Sequence, residues 1–390
     1  MPAPPQIKTE QPNAALAGSP RSSLALCLRL WRNRRIASPA FRAAIARIPF
    51  LGGIARRDAN ALFRLTGGFI FSQVLMASVR LGLYEALQDR SLTTAELARS
   101  MNLPQARLRR LLQANADLAL LIEFEADRWV LDDKGVVLAA DKGLAAMIRH
   151  HDMLYRDLAD PARLLADEMA DTELNRYWAY ARGERPDALP PASVADYSTL
   201  MRESQAMMAE CILATHDFSG TRVLLDVGGG EGAFLVAAAE RYPALQLRLF
   251  DLPAVVERAS WHLECRGLSV RSRVFGGDFT RDRLPDEVDC VSLIRVLCDH
   301  DDERAMAILD NLYRSLQPGT RLVVAEAMNG PSEGARLASA YFGIYFLAMG
   351  SGRCRSAREI GEMLARAGFK GIRTAATPNP LIATIVSALR

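Results

Sequence analysis

Apolar and polar positions alternate in two distinct ways along this chain, and the clearer pattern begins at Thr221. Short apolar runs rich in β-branched residues there alternate with helical segments. Strand and helix alternation of this kind predicts a parallel sheet with helices on both faces and a ligand at the carboxyl ends of the strands. The last two runs, "KGIRTAAT" and "LIATIVSAL", follow each other closely, so we expect the final strand to run against the sheet.

Residues 58–149 show the second pattern, in which helical periodicity precedes two short strands. A long apolar helical stretch leads into two short helices; Thr93 and Glu96 form a capping box at the first, and Pro104 sits where the second would begin. Two predicted strands then flank "EADR" as a wing. Helix, turn, helix and wing together predict a winged-helix unit.

The longest charge-free helical runs begin at Leu65 and Leu337 and have 15 and 16 residues. Both are shorter than the roughly 18 residues of a membrane span. We therefore expect both to be buried helices. Residues 150–218 are predicted to be connecting helices, in which His150 and His151 point in different directions, so that only one can face a pocket.

The N-terminal 57 residues differ from the rest in charge. Residues 11–57 contain nine arginines and no acid, and the first twenty residues hold five of the nineteen prolines, which predicts a disordered tail followed by a basic helical segment. This segment could dock on its own domain, on a second subunit or on anionic lipid, or act as a transit peptide. The six cysteines form no CxxC pair and no signal peptide is apparent, so we expect a cytoplasmic protein with reduced thiols.

A winged helix raises the hypothesis of a DNA-binding regulator. The predicted recognition helix carries Arg107, Arg109 and Arg110, but six acids follow closely between Asp117 and Asp133. A surface that reads phosphates usually has a basic excess. The charge pattern and the small net charge of +3 therefore disfavour nucleic acid as a partner.

The first strand of the C-terminal pattern leads into a glycine turn. Gly228, Gly230 and Gly232 allow a ligand to approach the backbone, and the following helix offers free amides. Asp251, at the end of the next strand, can accept hydrogen bonds from ribose hydroxyls. This much also fits NAD, because Gly228, Gly230 and Ala233 satisfy GxGxxA.

Two acids favour S-adenosylmethionine over NAD. Asp226 precedes the turn, where a carboxylate suits a cationic amino group and repels a pyrophosphate. Asp278 and Phe279 end the third strand, where an adenine amine and ring face would lie. We therefore predict an S-adenosylmethionine site.

The segment "SLIRVLCDHDDER", residues 292–304, has three readings: a catalytic loop, a metal site or a polar loop. A metal is disfavoured, because one tight loop would have to supply mixed soft and hard donors. We expect no metal.

With these motifs in order, the chain from residue 60 resembles the small-molecule O-methyltransferases of plants and bacteria. The resemblance rests on "LLDVGGGEGAF", "LFDLPAV", "GGDF", "RVLCDHDDE", "VVAEAM" and "GFKGIR". Within that family, "GFIFSQVLMASVRLGLYEAL" and "AYFGIYFLAMG" are similar to the hydroxyneurosporene (demethylspheroidene) O-methyltransferases, which methylate the tertiary C-1 hydroxyl of an acyclic carotenoid. The resemblance implies a Rossmann-like methyltransferase sheet, an N-terminal winged-helix dimerisation domain and a homodimer, with a phenolic or polyketide-type acceptor as the alternative.

The resemblance also implies roles for particular residues. Gly228, Asp251, Asp278 and Phe279 match cofactor contacts of the family. The family's base histidine aligns with Cys298; one supporting glutamate aligns with Glu326 and the other falls at Cys354. We expect His300, oriented by Asp299, Asp301 or Glu326, to be the nearest candidate to take the proton, the alternative being a loop histidine with no role. A tertiary alcohol is weakly acidic, so a strong base is less needed than for a phenol.

The acceptor pocket is expected between the apolar helix from Leu337, the helix around residue 150 and the long helix from Phe69. A hydrophobic substrate, dissolved in the inner or photosynthetic membrane, would give the basic N-terminus a lipid-binding role. The residues predicted to line this pocket are Cys298, His151, Tyr341, Phe342, Tyr345, Phe346 and Met349.

Overall fold

A computed structural model describes residues 20–169, 171–178 and 205–390. These residues form two compact units, which divide between Gln73 and Val74. The predicted disordered tail up to residue 19 and the proline-rich segment 186–191 lie outside the described residues, and Pro20 already begins a helix.

The first unit is helical. Ser38 caps the second helix by accepting a hydrogen bond from the Phe41 amide. From Leu24 to Ala37 every side chain is exposed. The helices are α1 (Pro20–Ala37), α2 (Pro39–Ala46) and the start of α3 (Pro49–Arg80).

Helix α3 corrects the expectation that the apolar run from Leu65 is a buried helix. The run is part of a 32-residue helix that is long and apolar enough to cross a bilayer by length and composition, yet only 17% of its most apolar window is buried. Leu65 and Phe69 are 80% and 68% exposed. Nearer the end of the helix Met76 and Val79 are buried, so the run is exposed along its first part and buried along its last turns. The run from Leu337 is also only partly buried: Tyr345, Phe346 and Met349 are buried, whereas Leu337, Ile344 and Leu347 are exposed.

The second unit begins with the predicted winged helix, which is confirmed. A three-stranded antiparallel sheet in the order β1-β3-β2 packs with short helices. The Thr93–Glu96 capping box forms, and Pro104 directly precedes a helix. The elements are α4 (Leu83–Ala86), β1 (Leu92–Thr93), α5 (Thr94–Ser100), α6 (Gln105–Asp117), β2 (Leu121–Glu125), β3 (Arg128–Leu131) and α7 (Asp133–Ala140).

Arg109 of the predicted recognition helix is engaged within the wing. Its guanidinium pairs with Glu123 and Asp127 and lies 4.8 Å from the centre of the Trp129 ring. An arginine held in this way stabilises the hairpin and is poorly placed to contact a phosphate. Further helices follow, namely α8 (Lys142–Asp157), α9 (Pro161–Leu165), α10 (Glu173–Tyr177) and helical residues 205–215, called α11.

The C-terminal region is a seven-stranded sheet in the order β6-β5-β4-β7-β8-β10-β9. All its strands run parallel except β10, which is antiparallel to both neighbours, as predicted. Apolar clusters cover both faces. The elements are β4 (Val223–Val227), α12 (Ala233–Arg241), β5 (Gln246–Asp251), α13 (Pro253–Cys265), β6 (Ser272–Gly276), β7 (Cys290–Ile294), α14 (Asp302–Ser315), β8 (Arg321–Glu326), α15 (Glu333–Met349), α16 (Ala357–Ala367), β9 (Lys370–Ala376) and β10 (Thr384–Leu389).

Candidate active site

The glycine turn lies between β4 and α12 and is tightly enclosed. Gly228, Gly230 and Gly232 all have left-handed backbones. A Cβ atom added at Gly228 would lie 2.7 Å from Cγ2 of Val296, and one at Gly229 would lie 2.6 Å from Oδ2 of Asp226. Neither position can therefore hold a side chain without displacing a neighbour, which keeps the turn's backbone accessible.

Two buried carboxylates flank this turn. Asp226 Oδ1 accepts a hydrogen bond from Ser292 at 2.6 Å, while its Oδ2 has no hydrogen-bond partner among the described residues. Asp251 accepts from the Gly230 and Leu252 amides, both at 2.7 Å. Burial raises the pKa of Asp226 to about 7 and that of Asp251 to about 6. An uncompensated buried acid fits a cationic ligand, which would restore the ionised form.

The third strand adds the predicted Asp278 and Phe279. Asp278 is buried and accepts hydrogen bonds from the Thr280 amide and hydroxyl at 2.9 and 2.6 Å. The ring of Phe279 lies beside the glycine turn, 3.8 Å from where a Cβ of Gly228 would be. The structure thus brings the seven predicted cofactor residues to the carboxyl ends of the adjacent strands β4, β5 and β6.

The segment after β7 separates this turn from a second site. Arg295 has a left-handed backbone, φ 57°, and its amide donates to the Ala325 carbonyl at 2.9 Å. The next residue, Val296, packs on Gly228, whereas Arg295, Cys298 and Asp299 line an apolar cavity. The segment is therefore the wall shared by the glycine turn and the cavity.

Buried Arg355 holds this segment in place. Its guanidinium donates to the carbonyls of Leu297 and His300 at 2.6 and 2.8 Å and pairs with Asp302 at 2.7 Å. Asp302 also pairs with Arg353, so this acid of the loop serves the structure rather than a metal. No group of three or more metal-binding side chains occurs in the described ranges.

The cavity has a volume of about 270 Å³ and is mostly apolar. Its walls come from α8, α11, α15 and the segments after β7 and β8. The third wall, which the sequence assigned to the long helix from Phe69, is formed by α11 and residues near the C-terminus, because these pack against the end of the sheet. Lining residues outside the predicted set include Met207, Met208, Leu381 and Ile382.

Six of the seven residues predicted for the pocket line this cavity. The exception is Met349, which is fully buried in an apolar cluster with Leu174 and Trp178. It lies in the last turn of α15, where the helix packs on the α10 region instead of bordering the cavity. The expectation for Met349 therefore needs correction: it supports the cavity from outside the lining.

Both adjacent histidines line the cavity, which corrects the expectation that only one could. His150 Nε2 lies 2.6 Å from the Tyr345 hydroxyl, and His151 Nε2 lies 2.7 Å from the Tyr341 hydroxyl. The two tyrosines are one turn apart on α15 and their rings stack. The two hydroxyls lie one helical turn apart along α15. The side chains of His150 and His151 diverge from α8, and each can therefore reach a different tyrosine. Burial lowers the pKa of both histidines, that of His150 to about 4.

The predicted catalytic residues occupy three different environments. Asp299 lines the cavity. Glu326 is fully buried and accepts a hydrogen bond from the Cys298 amide at 3.0 Å, and burial raises its pKa to about 7. His300 is buried with its ring 6.0 Å from that of Phe279, and it is not among the residues that line the cavity. The structure therefore places His300 on the cofactor side of the dividing segment.

Sequence reasoning missed three residues that shape the site. Arg295 follows a buried strand directly, and this position at the carboxyl end of a strand was a usable signal. Trp178, which donates to the Tyr345 hydroxyl at 2.8 Å, and Arg355 carry no local signal. Their roles depend on contacts with residues far away in the sequence.

Comparison with known proteins agrees with this geometry. The family model of the O-methyltransferase domain matches residues 158–370, and that of the O-methyltransferase dimerisation domain matches residues 63–135. The chain is 42% identical to the demethylspheroidene O-methyltransferase of Cereibacter sphaeroides, over 92% of this chain and 94% of that protein. It is 39% identical to the protein of the same name from Rhodobacter capsulatus, over 88% and 85%.

The chain belongs to the O-methyltransferase family. Among solved structures it is similar to CalO1, a methyltransferase in calicheamicin biosynthesis in its SAH-bound form, with a TM-score of 0.70, 27% identity, and coverage of 85% of this chain and 98% of that chain. The family model and the similar structure confirm the predicted fold class, enzyme class and cofactor. The chain is an O-methyltransferase that depends on S-adenosylmethionine. The dimerisation-domain match supports a homodimer.

Proposed function

We propose that this O-methyltransferase methylates the tertiary hydroxyl of an acyclic carotenoid, as the resemblance of its helices to the carotenoid enzymes implies. The observation that carries the proposal is the apolar, aromatic cavity beside the glycine turn, with polar groups gathered along α8 and the segment after β7. The names of the two similar proteins from Cereibacter sphaeroides and Rhodobacter capsulatus support the same substrate class.

The size of the cavity defines how such an acceptor would bind. At about 270 Å³ it is smaller than most cavities that enclose a whole drug-sized ligand. A carotenoid is far longer, so only its hydroxylated end fits and the remaining polyene lies outside. Aromatic side chains at Phe342 and Phe346 stack with ring centres 5.6 Å apart and offer a flat apolar surface to that end.

The chain's own residues have separate tasks in this reaction. When bound, the cofactor supplies an electrophilic methyl group on a sulfonium. Asp226, Asp251, Asp278 and the glycine turn would hold it, and the cavity would align the acceptor oxygen, which is the main requirement of an in-line displacement. We assign His300 to support of Phe279, since the two rings are in edge contact.

The test is methyl transfer from labelled S-adenosylmethionine to a 1-hydroxy acyclic carotenoid, compared with a panel of phenols. We expect label in the carotenoid. Label that passes only to phenols would contradict the carotenoid assignment. Failure to bind the cofactor, measured separately by calorimetry, would contradict methyl transfer itself.

We also propose that the enzyme is cytoplasmic and attaches peripherally to anionic lipid through α1. Leu24, Leu28 and Trp31 are 64%, 58% and 57% exposed. Arginines interleave with them, and Arg35 lies over the Trp31 ring at 5.4 Å. Exposed apolar side chains among arginines, with no acid in residues 11–57, suit the interface of a negatively charged bilayer.

Flotation with vesicles tests this attachment. The full chain should float with vesicles that contain anionic phosphatidylglycerol and less with neutral vesicles, and salt should weaken binding. Replacing Arg29, Arg32, Arg34 and Arg35 by glutamine should abolish flotation. Absence of flotation, with α1 protected instead by a second copy, would contradict the proposal.

A further inference from the structure

Cys298, the residue at the family's base position, cannot take the proton of the acceptor. Its thiol is buried, and burial together with the nearby Glu326 and Asp299 raises its pKa well above the usual value. A thiol that remains protonated at neutral pH accepts no proton. The other polar groups that line the cavity are therefore the next candidates for the proton acceptor.

The two histidine–tyrosine pairs of the cavity differ in what their hydroxyls can still do. The Tyr345 hydroxyl accepts from the Trp178 indole at 2.8 Å and also contacts His150 at 2.6 Å. Because the indole donates to the Tyr345 oxygen, the Tyr345 hydroxyl directs its own proton to His150. Trp178 and His150 thus already occupy this hydroxyl as acceptor and as donor. In the described part of the chain the Tyr341 hydroxyl hydrogen-bonds His151 alone, at 2.7 Å. It retains one further hydrogen bond for a ligand.

Exposure separates the two histidines as well. His150 is 6% exposed, whereas His151 is half-buried. A proton that reaches His151 can thus return to solvent after each turnover. His150 has no comparable route, and its pair with Tyr345 fastens α8 to α15.

We propose that Tyr341 and His151 form the proton relay of this enzyme. The inference rests on the proposed function, because it assigns the group that receives the proton of the acceptor hydroxyl. The hydroxyl of the carotenoid donates a hydrogen bond to the Tyr341 oxygen. The Tyr341 hydroxyl in turn donates to Nε2 of His151. Tyr341 is the catalytic residue, and His151 acts through it.

The bond changes and the proton transfers of this reaction balance. The acceptor oxygen forms a bond to the methyl carbon while the carbon–sulfur bond breaks and its electron pair stays on sulfur. The acceptor proton passes to the Tyr341 oxygen as the Tyr341 proton passes to His151, which becomes imidazolium. The protonated ether that would otherwise form is a far stronger acid than imidazolium, so the transfer is downhill even to a histidine whose pKa is lowered.

Several titratable or charged groups surround His151 and bear on its protonation. Burial is the cause of its lowered pKa, and it must be neutral to accept a proton. Turnover should therefore persist at pH 6.5, the ordinary histidine pKa, and fall only at a lower pH, where the ring of His151 becomes protonated. The groups near it are Tyr341 from α15, His150 and Tyr155 from α8, and Arg295 and Asp299 from the segment after β7.

Variants of the full chain test the relay with the 1-hydroxy carotenoid as acceptor. Tyr341→Phe should lower kcat by roughly a hundredfold, the lower end for general acid–base catalysis, with Tm and S-adenosylhomocysteine affinity near wild type. His151→Gln should lower kcat similarly and remove the acidic limb of the kcat–pH profile. Tyr345→Phe is the matched comparison, because it removes the hydroxyl that accepts from the Trp178 indole and contacts His150, so it should lower Tm more than kcat.

Other proton acceptors predict different results. An acidic limb that persists in His151→Gln but disappears in Asp299→Asn would overturn the relay in favour of Asp299. A hundredfold loss in His300→Ala, with Tyr341→Phe near wild type, would overturn it in favour of His300. Wild-type protein that binds the cofactor yet leaves the carotenoid unmethylated would instead contradict the proposed function.

Discussion

The cofactor site and the acceptor cavity share one wall and are built in opposite ways. The cofactor site is backbone and carboxylate, with a turn so tight that an added Cβ at Gly228 meets Val296 at 2.7 Å. The cavity is lined mainly by side chains, which include stacked aromatic rings and two histidine–tyrosine pairs. A site built on backbone tolerates little change, whereas one made of side chains can be reshaped by substitution. This contrast explains how one cofactor fold can serve many acceptors.

The largest effect is expected from Gly228→Ala, which tests how rigid the cofactor side is. The new methyl group would collide with Val296 and distort the turn, and S-adenosylhomocysteine affinity should fall by at least about a hundredfold, or ~2.7 kcal/mol, by calorimetry. Gly267→Ala is the matched control. It has a similar backbone, φ 69°, with nothing within 4 Å, so it should cost only about 1–2 kcal/mol of stability. Equal affinity losses in both variants would contradict the steric account.

Asp226→Asn should reveal the buried charge of the cofactor side. In the folded protein the pKa of Asp226 is about 7 against an ordinary 3.8. Between these pH values the folded protein holds a proton on Asp226 that the unfolded chain releases. Stability of the ligand-free protein should then fall as pH rises through this window. The variant should flatten that decline, raise Tm at pH 8 by roughly a few degrees and weaken cofactor affinity about tenfold. An unchanged pH dependence of Tm would argue against a buried, uncompensated acid.

Phe342→Ala probes the cavity side, where substitution should change only acceptor binding. Loss of the ring that stacks on Phe346 should raise KM for the carotenoid about tenfold, or ~1.4 kcal/mol, and leave cofactor affinity near wild type. Leu337→Ala, on the same helix but 56% exposed, is the control. A cofactor defect in Phe342→Ala would show that the two sites are not separable.

The smallest effect is expected from Cys298→Ala in the dividing segment. The thiol stays protonated because burial raises its pKa, so its removal should change kcat by less than about threefold, far below the contribution of a general base. Steady-state kinetics at two pH values would measure it. A loss of kcat comparable to that of Tyr341→Phe would show that Cys298 acts as the general base, as the residue at this position does in the family.

The cofactor site could be predicted from the sequence better than the features that depend on packing. The sequence predicted that the glycine turn, Asp251, Asp278 and Phe279 lie at the ends of adjacent strands, because strand ends and turns are local features with a fixed spacing. The winged helix and the reversed β10 were found for the same reason. The exposed face of α3 was not, since a charge-free run says how apolar a helix is and not what covers it.

The sequence by itself determined the order of the strands along the chain, the cofactor and the family. The tertiary structure decided which histidine faces which tyrosine, that His300 lies beside Phe279, and that Arg355 fastens the segment below Cys298. These contacts join residues as many as 195 positions apart, as in His150 and Tyr345. Their geometry depends on how α8 and α15 pack, and packing is a property of the folded chain as a whole.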